Sequence, residues 1–301
     1  MPLPDGFSDV AARFNALMQA VRGRGGTPHN DGEQRLLIDQ LRNALDRRAE
    51  TLAPSDPAFI AGTFAVENLL YEGSHSRVLK LRHRDLGTAY VLKTLTKDGA
   101  SSASQADLLI REARIGLNLD HPNLVKTSIL LRLADGSPGL IQPWSGYSLR
   151  ESLEREGGTG LDVAQIMRDL LTALEALHNR GLVHGDVAPS NVILDPQRRI
   201  ARLADFGLTI ECGARWSDLG LAEVGSPDYR APEQNASSKA SAAMDLYGAG
   251  RVLLRMLDTV PQGQNADLAQ LADHLCNIDP GNRPETTKEA LANLSRIGTR
   301  K

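Results

Sequence analysis

The chain has 301 residues, enough for one large domain or two smaller ones with a substantial core. Charged residues make up 24% and hydrophobic residues 41%, and the formal net charge of −3 gives no field that would draw nucleic acid or an anionic membrane. Cys212 and Cys276 stand far apart with no CxxC, which argues against a disulfide framework or a cysteine-rich zinc site and fits a reducing compartment. The opening MPLPDGFSDV lacks the basic and apolar regions of a signal peptide, and no apolar run approaches about eighteen residues. Neither secretion nor membrane insertion is predicted, and the cytoplasm is the expected location.

In chain order, Phe7, Val10, Phe14, Leu17, Met18 and Val21 recur at helical spacing and predict an amphipathic helix over residues 8–21. The glycines and proline of Arg22–Asn30 break it. Asp31 and Gln34 form a capping-box pattern, and Leu36, Leu37, Leu41, Leu45 and Leu52 mark a second helix ending before Pro54. Residues 1–57 are therefore expected to be a helical extension. Two helices bury little alone, so their apolar faces need a partner: the body of the protein, a regulatory partner or a second copy.

From Phe64 to Leu95, alternating β-branched and apolar residues predict three antiparallel strands. Leu140–Trp144 reads as another strand. Val163–Arg180 is predicted to be a helix with Ile166, Leu170, Leu171, Leu174 and Leu177 on one face. It delivers the loop HGDVAPSN (His184–Asn191), and a short apolar strand, Ile200–Ala204, then leads to Asp205-Phe206-Gly207. Phosphoryl transfer needs an orienting base for the attacking hydroxyl and oxygen ligands for Mg²⁺. Asp186, Asn191 and Asp205 have side chains suited to those roles.

Other landmarks accompany this loop in order: Tyr90-Val91-Leu92-Lys93; Glu112 in IREARIGLNLDHPNLV; GSPDYRAPEQ from Gly225; Asp245; and Arg283 in DPGNRP. Together they resemble the eukaryotic-like (Hanks-type) serine/threonine protein kinase family, in the style of a soluble bacterial member. The resemblance implies an α+β, two-lobed protein-kinase-like fold over 58–301 that follows the amino-terminal helical extension. Its β-rich small lobe would take about 58–144, and its helical large lobe about 145–301. The implied cofactors are ATP and Mg²⁺, and the implied partner is a protein substrate. Lys93, paired with Glu112, is expected on the α- and β-phosphates, Asp186 as the base or orienter, and Asn191 and Asp205 as Mg²⁺ ligands. Gly73, Ser74, Val78, Val91, Ile141 (as gatekeeper), Gln142 and Trp144 are expected around the nucleotide. Glu233 and Arg283 are expected to form a buried pair, His184 to be a packing residue, and Ser226 to steady the catalytic loop.

Several positions depart from the family pattern. Of the three glycines expected in YEGSHSRV only Gly73 remains, and Val91 stands where alanine is usual. Gly116 replaces a bulky apolar residue, which predicts a gap that an amino-terminal helix would fill. Gly185 replaces an arginine that docks phosphorylated activation loops, so the segment is expected to be formed constitutively or under control of a partner; Thr209 and Ser217 are its candidate phosphosites. Ala188 replaces a lysine that touches the γ-phosphate. No room remains for a docking helix after Ala243–Leu257. Two other readings share the loop: a small-molecule phosphotransferase resembling aminoglycoside or choline kinases, and a nucleotide-binding pseudokinase scaffold.

Overall fold

The computed structural model describes residues 59–298, except 101, 198 and 260–265, together with a few positions before residue 59. The expected helical extension over residues 1–57, and with it any partner role for those helices, lies outside the described residues.

Two compact units divide the chain: residues 1–67 with 83–86, and residues 68–82 with 87–301. In the first, Phe59–Ile60 pairs antiparallel with Phe64–Ala65 across a turn in which Ala61 takes a positive φ of 51°. Arg84 closes this turn by donating to the Gly62 carbonyl at 3.2 Å, and its guanidinium lies 5.3 Å from the centre of the Phe59 ring.

The second unit opens with an antiparallel sheet. After β1 (Phe64–Glu72, of which 68–72 belong to this unit) come β2 (Ser76–His83, of which 76–82 belong to it) and β3 (Ala89–Leu95), then helix α1 (Ala103–Leu117) and strands β4 (Ile129–Arg132) and β5 (Pro138–Pro143). The order in space is β2, β3, β5, β4. Cross-strand partners share a face, so Val91 and Lys93 of β3 lie with Gln142 and Leu140 of β5. Leu140 packs with Leu95 and with Leu109 and Ala113 of α1, which places α1 over that face. The other face carries Leu79, Leu81, Leu92 and Ile141, all buried.

The rest is helical. α2 (Leu149–Glu156) starts at a reciprocal capping box between Ser148 and Glu151, a device worth about 1 kcal/mol. α3 (Val163–His178) starts at Asp162, whose carboxylate accepts from the Gln165 N–H. The predicted stripe Ile166, Leu170, Leu171, Leu174 and Leu177 is fully buried and forms the centre of the core. Strands β6 (Val192–Leu194) and β7 (Ala201–Leu203) pair beside it. α4 (Ala242–Leu257), α5 (Ala266–Leu275) and α6 (Thr287–Gly298) complete the core. Only residues 258–265 separate α4 from α5, and 260–265 are outside the described residues. The α+β arrangement, a β-rich part followed by a helical part, is the one the sequence leads one to expect.

Candidate active site

The sheet-and-helix face just described brings Lys93 to Glu112. The Lys93 ammonium lies 3.1 and 2.9 Å from the two Glu112 carboxylate oxygens and 2.7 Å from Asp205 Oδ1. One cation thus serves two carboxylates, with side-chain exposures of 16% for Lys93, 4% for Glu112 and 42% for Asp205. Burial disfavours the Lys93 ammonium, but Asp205 and Glu112 outweigh it and raise its pKa. Burial pushes Glu112 up to about 7 against the pull of Lys93, and the neighbouring Asp205 adds to the rise. Burial also opposes ionised Asp205, yet Lys93 and the Gly207 N–H, which donates to Oδ1 at 3.1 Å, hold it below the ordinary carboxylate range. Asp205 takes a positive φ of 66°. Such strain in a non-glycine residue is typical of functional positions.

The loop from His184 to Asn191 is built on a buried anion. Asp245, on the first turn of α4, accepts the backbone N–H groups of His184 at 2.7 Å and Gly185 at 2.9 Å, and pairs with His178 Nε2 at 2.9 Å. Burial would raise its pKa, but His178 and these donors hold it low. His184 is completely buried; its Nδ1 accepts from the Asp186 N–H and its Nε2 faces the Ala204 carbonyl at 3.1 Å. Its ring also meets the Phe206 ring edge-on at 6.0 Å. Both ring nitrogens are thereby used in packing the loop against the segment that carries Asp205, as expected of a packing residue.

Asp186 is fixed at both oxygens. Oδ1 accepts from the Ser226 N–H at 2.7 Å and Oδ2 from Asn191 Nδ2 at 2.9 Å, while the same Asn191 nitrogen also donates to the Asp186 carbonyl. It is the backbone of Ser226 that steadies the loop in this way. With its nitrogen turned to Asp186, Asn191 offers its oxygen as a ligand. That oxygen and the half-exposed Asp205 carboxylate are hard donors that suit Mg²⁺. No group of three or more His, Cys, Asp and Glu side chains fit to hold a metal occurs among the described residues.

Of the residues expected around the nucleotide, the register of the sheet puts one on the face opposite Lys93. Val78 pairs with Lys93 across β2 and β3, and Val91 lies on the same face. Gly73 and Ser74 form the tight turn between β1 and β2: Gly73 N–H donates to Ser76 O at 2.8 Å, and the Ser74 carbonyl is held by Thr96 Oγ1 at 2.8 Å. The Trp144 ring sits 4.6 Å below the Lys80 ammonium. Ile141, expected as gatekeeper, is on the wrong face: it pairs with Leu92, and the residue opposite Val91 is Gln142. Gln142 donates to Thr127 Oγ1 at 3.4 Å, on the α1 side. The period of two in a strand makes a one-residue misreading a change of face.

Two further expectations change. Gly116 leaves no gap, because a Cβ there would lie 2.2 Å from Thr127 Oγ1 and 3.4 Å from Phe206 Cδ2. Thr209 is no accessible phosphosite: it is completely buried, and its carbonyl is bound by Arg111 of α1. Ser217 is exposed. The pair Glu233–Arg283 forms with two bonds of 2.6 and 2.9 Å. His178, Trp216 and Gln234 enter the site's support without any signal in the sequence reading. The first is an ordinary last-turn histidine, and the other two act only through long-range contacts.

A family model described as "Protein kinase domain" matches residues 64–290. Among curated relatives, serine/threonine-protein kinase pkn3 of Myxococcus xanthus is 27% identical over 247 residues, covering 78% of this chain and 44% of that protein. The 3-phosphoinositide-dependent protein kinase 1 of Arabidopsis thaliana is 24% identical over 270 residues, 79% of this chain and 55% of its own. Serine/threonine-protein kinase gad8 of Schizosaccharomyces pombe is 28% identical over 239 residues, 77% and 41%. The chain spans about half the length of the curated relatives it matches. No helix among the described residues is long and apolar enough to cross a membrane.

Proposed function

The chain belongs to the protein kinase family, and we propose that it transfers the γ-phosphate of ATP to a serine or threonine hydroxyl of a protein substrate. The observation that carries this reading is the joint geometry of Lys93, Glu112 and Asp205 on one side and Asp186 with Asn191 on the other, tied together through His184. Lys93 is charged and held by Glu112, ready for phosphate oxygens. Asp186 is oriented by Ser226 and Asn191 to accept the proton of a substrate hydroxyl. Asn191 and Asp205 would hold Mg²⁺, which neutralises phosphate charge when bound.

A protein acceptor fits better than a small alcohol. The segment ending in Gly225–Gln234 folds back onto the base itself, since the Ser226 N–H is one of the two bonds that orient Asp186. A small-molecule phosphotransferase has no use for such a segment. A scaffold without catalysis has no need of all five polar groups in register. Ala188 is completely buried and offers no cation to the transferring group, so a modest rate is expected. The test is transfer from γ-labelled ATP with Mg²⁺, with casein as generic substrate, for the wild type beside Asp186→Ala. Label on casein or on the protein itself should fall by about 10²-fold or more in the variant. A wild type that binds nucleotide but moves no label would overturn the reading.

A further inference from the structure

Gly185 precedes the proposed base, and its peptide is fixed from every side. Its N–H donates to Asp245 Oδ1 at 2.9 Å, its carbonyl accepts from Gln234 Nε2 at 2.7 Å, and its φ is +80°. Over its Cα lies the indole of Trp216: a Cβ at this position would fall 2.9 Å from Trp216 Cζ2 and 3.0 Å from the Leu208 carbonyl oxygen. Trp216 is completely buried and donates from Nε1 to that same oxygen at 2.8 Å. Gln234 is 5% exposed. Trp216 comes from the segment between Gly207 and Gly225, in the short 3-10 turn Trp216–Leu219. Gln234 comes from just after that segment. Elements flanking the end of the segment thus close together on the peptide that carries Asp186.

A loop seated by an arginine and a phosphate depends on charge, and so on a modifying event. The seat in this chain consists of a buried aromatic ring, which prefers a fixed pocket, and a buried neutral amide bond that is costly to leave unmade. Neither needs a phosphate. Seating the segment also places the Ser226 N–H on Asp186 Oδ1.

We propose that Trp216 and Gln234 are positioning residues for Asp186, forming a phosphate-independent latch that holds the segment from Gly207 to Gly225 in its working state. This rests on the reading of Asp186 given under Proposed function. The Gln234 half of the latch donates only to the peptide that carries the base, so its loss reads out in kcat and not in KM for ATP.

The experiment compares wild type, Trp216→Phe, Trp216→Ala and Gln234→Leu by steady-state transfer to casein, together with backbone hydrogen exchange followed by mass spectrometry. Gln234→Leu keeps the volume and removes the donor, so it tests the latch even where Trp216→Ala fails to fold. Expected is a fall in kcat of about 10- to 100-fold for Trp216→Ala and Gln234→Leu, with KM for ATP within about twofold for Gln234→Leu. Trp216→Phe, which restores a ring, should recover a substantial part of what Trp216→Ala loses. Phosphatase treatment of the wild type should leave its rate intact. Exchange should rise in residues 182–191 and 207–226 and stay at the wild-type level in α3. The proposal is overturned by an unchanged kcat in Gln234→Leu, by a rise in KM for ATP alone, or by loss of wild-type activity on dephosphorylation. If the wild type itself transfers no label, the reading of Asp186 fails. The latch then stands or falls on exchange, and unchanged protection in Trp216→Ala and Gln234→Leu refutes it.

Discussion

Gly116→Ala sets two forces of known sign against each other. In a helix interior, alanine is favoured over glycine by about 0.5–1 kcal/mol, so propensity alone predicts a more stable protein. The surroundings predict the opposite. The new methyl would lie 2.2 Å from Thr127 Oγ1 and 3.0 Å from Thr127 Cβ. Rotation of the threonine can move the hydroxyl, but Cβ is fixed by the backbone, and Thr127 is only 4% exposed. Overpacking of this kind costs about 1–3 kcal/mol, so the net expectation is a loss of about 1–2 kcal/mol. For a folded body of this size that is a drop in Tm of roughly 2–8 °C. Urea and thermal unfolding of Gly116→Ala, Thr127→Ala and the double variant supply the assay. Removing the hydroxyl relaxes the closest contact from 2.2 to 3.0 Å, so the double variant should recover about 1 kcal/mol relative to additivity. Gly116→Ala as stable as wild type, or more so, would refute the packing account. Phe206 lies next in line at 3.4 Å, so Gly116→Leu should also displace the residue beside Asp205 and reduce transfer.

Further outcomes follow from the buried charges. Arg283→Met leaves Glu233 without its two-bond partner; because Glu233 keeps 27% exposure, a loss of about 3 kcal/mol in urea unfolding is expected, the low end for a broken buried pair. Arg283→Lys should not restore it, since an ammonium cannot make the paired contact and also reach the Asn277 carbonyl; full rescue by lysine would contradict this. Asp245 has a native pKa held below its unfolded value, so its contribution is present above about pH 4 and is lost as pH falls through the depressed native value. Asp245→Asn should therefore be less stable at pH 7 yet show a flatter acid limb in stability measured against pH; an acid limb as steep as that of wild type would count against the assignment.

The polar residues of the site were legible because the resemblance rests on side-chain type and spacing. The structure joins Lys93, Glu112 and Asp205 in one cluster and Asp186 with Asn191 in another. The stripe of α3 was legible from its period. Ile141 was misplaced because the apolar run Leu140-Ile141 gives no alternation from which to read the face, and only pairing with β3 settles that Gln142 shares the side of Lys93. Gly116 was read as a vacancy because its filler, Thr127, lies in an irregular stretch before β4 that carries no periodic signal. Trp216 and Gln234 escaped notice for a similar reason. A tryptophan in a loop signals nothing until the loop's path brings it over Gly185.

The space over Gly185 holds either a ring or a side chain, not both, because even a Cβ there meets the indole and the Leu208 oxygen in a backbone of positive φ. An arginine at 185 would therefore have to push the ring of Trp216 and the Leu208 carbonyl aside. Gly185→Arg collides, and loss of Trp216 leaves a void. Installing a charge-seated loop here is thus a matter of changing both positions together, with a smaller residue at 216 making room for the side chain at 185.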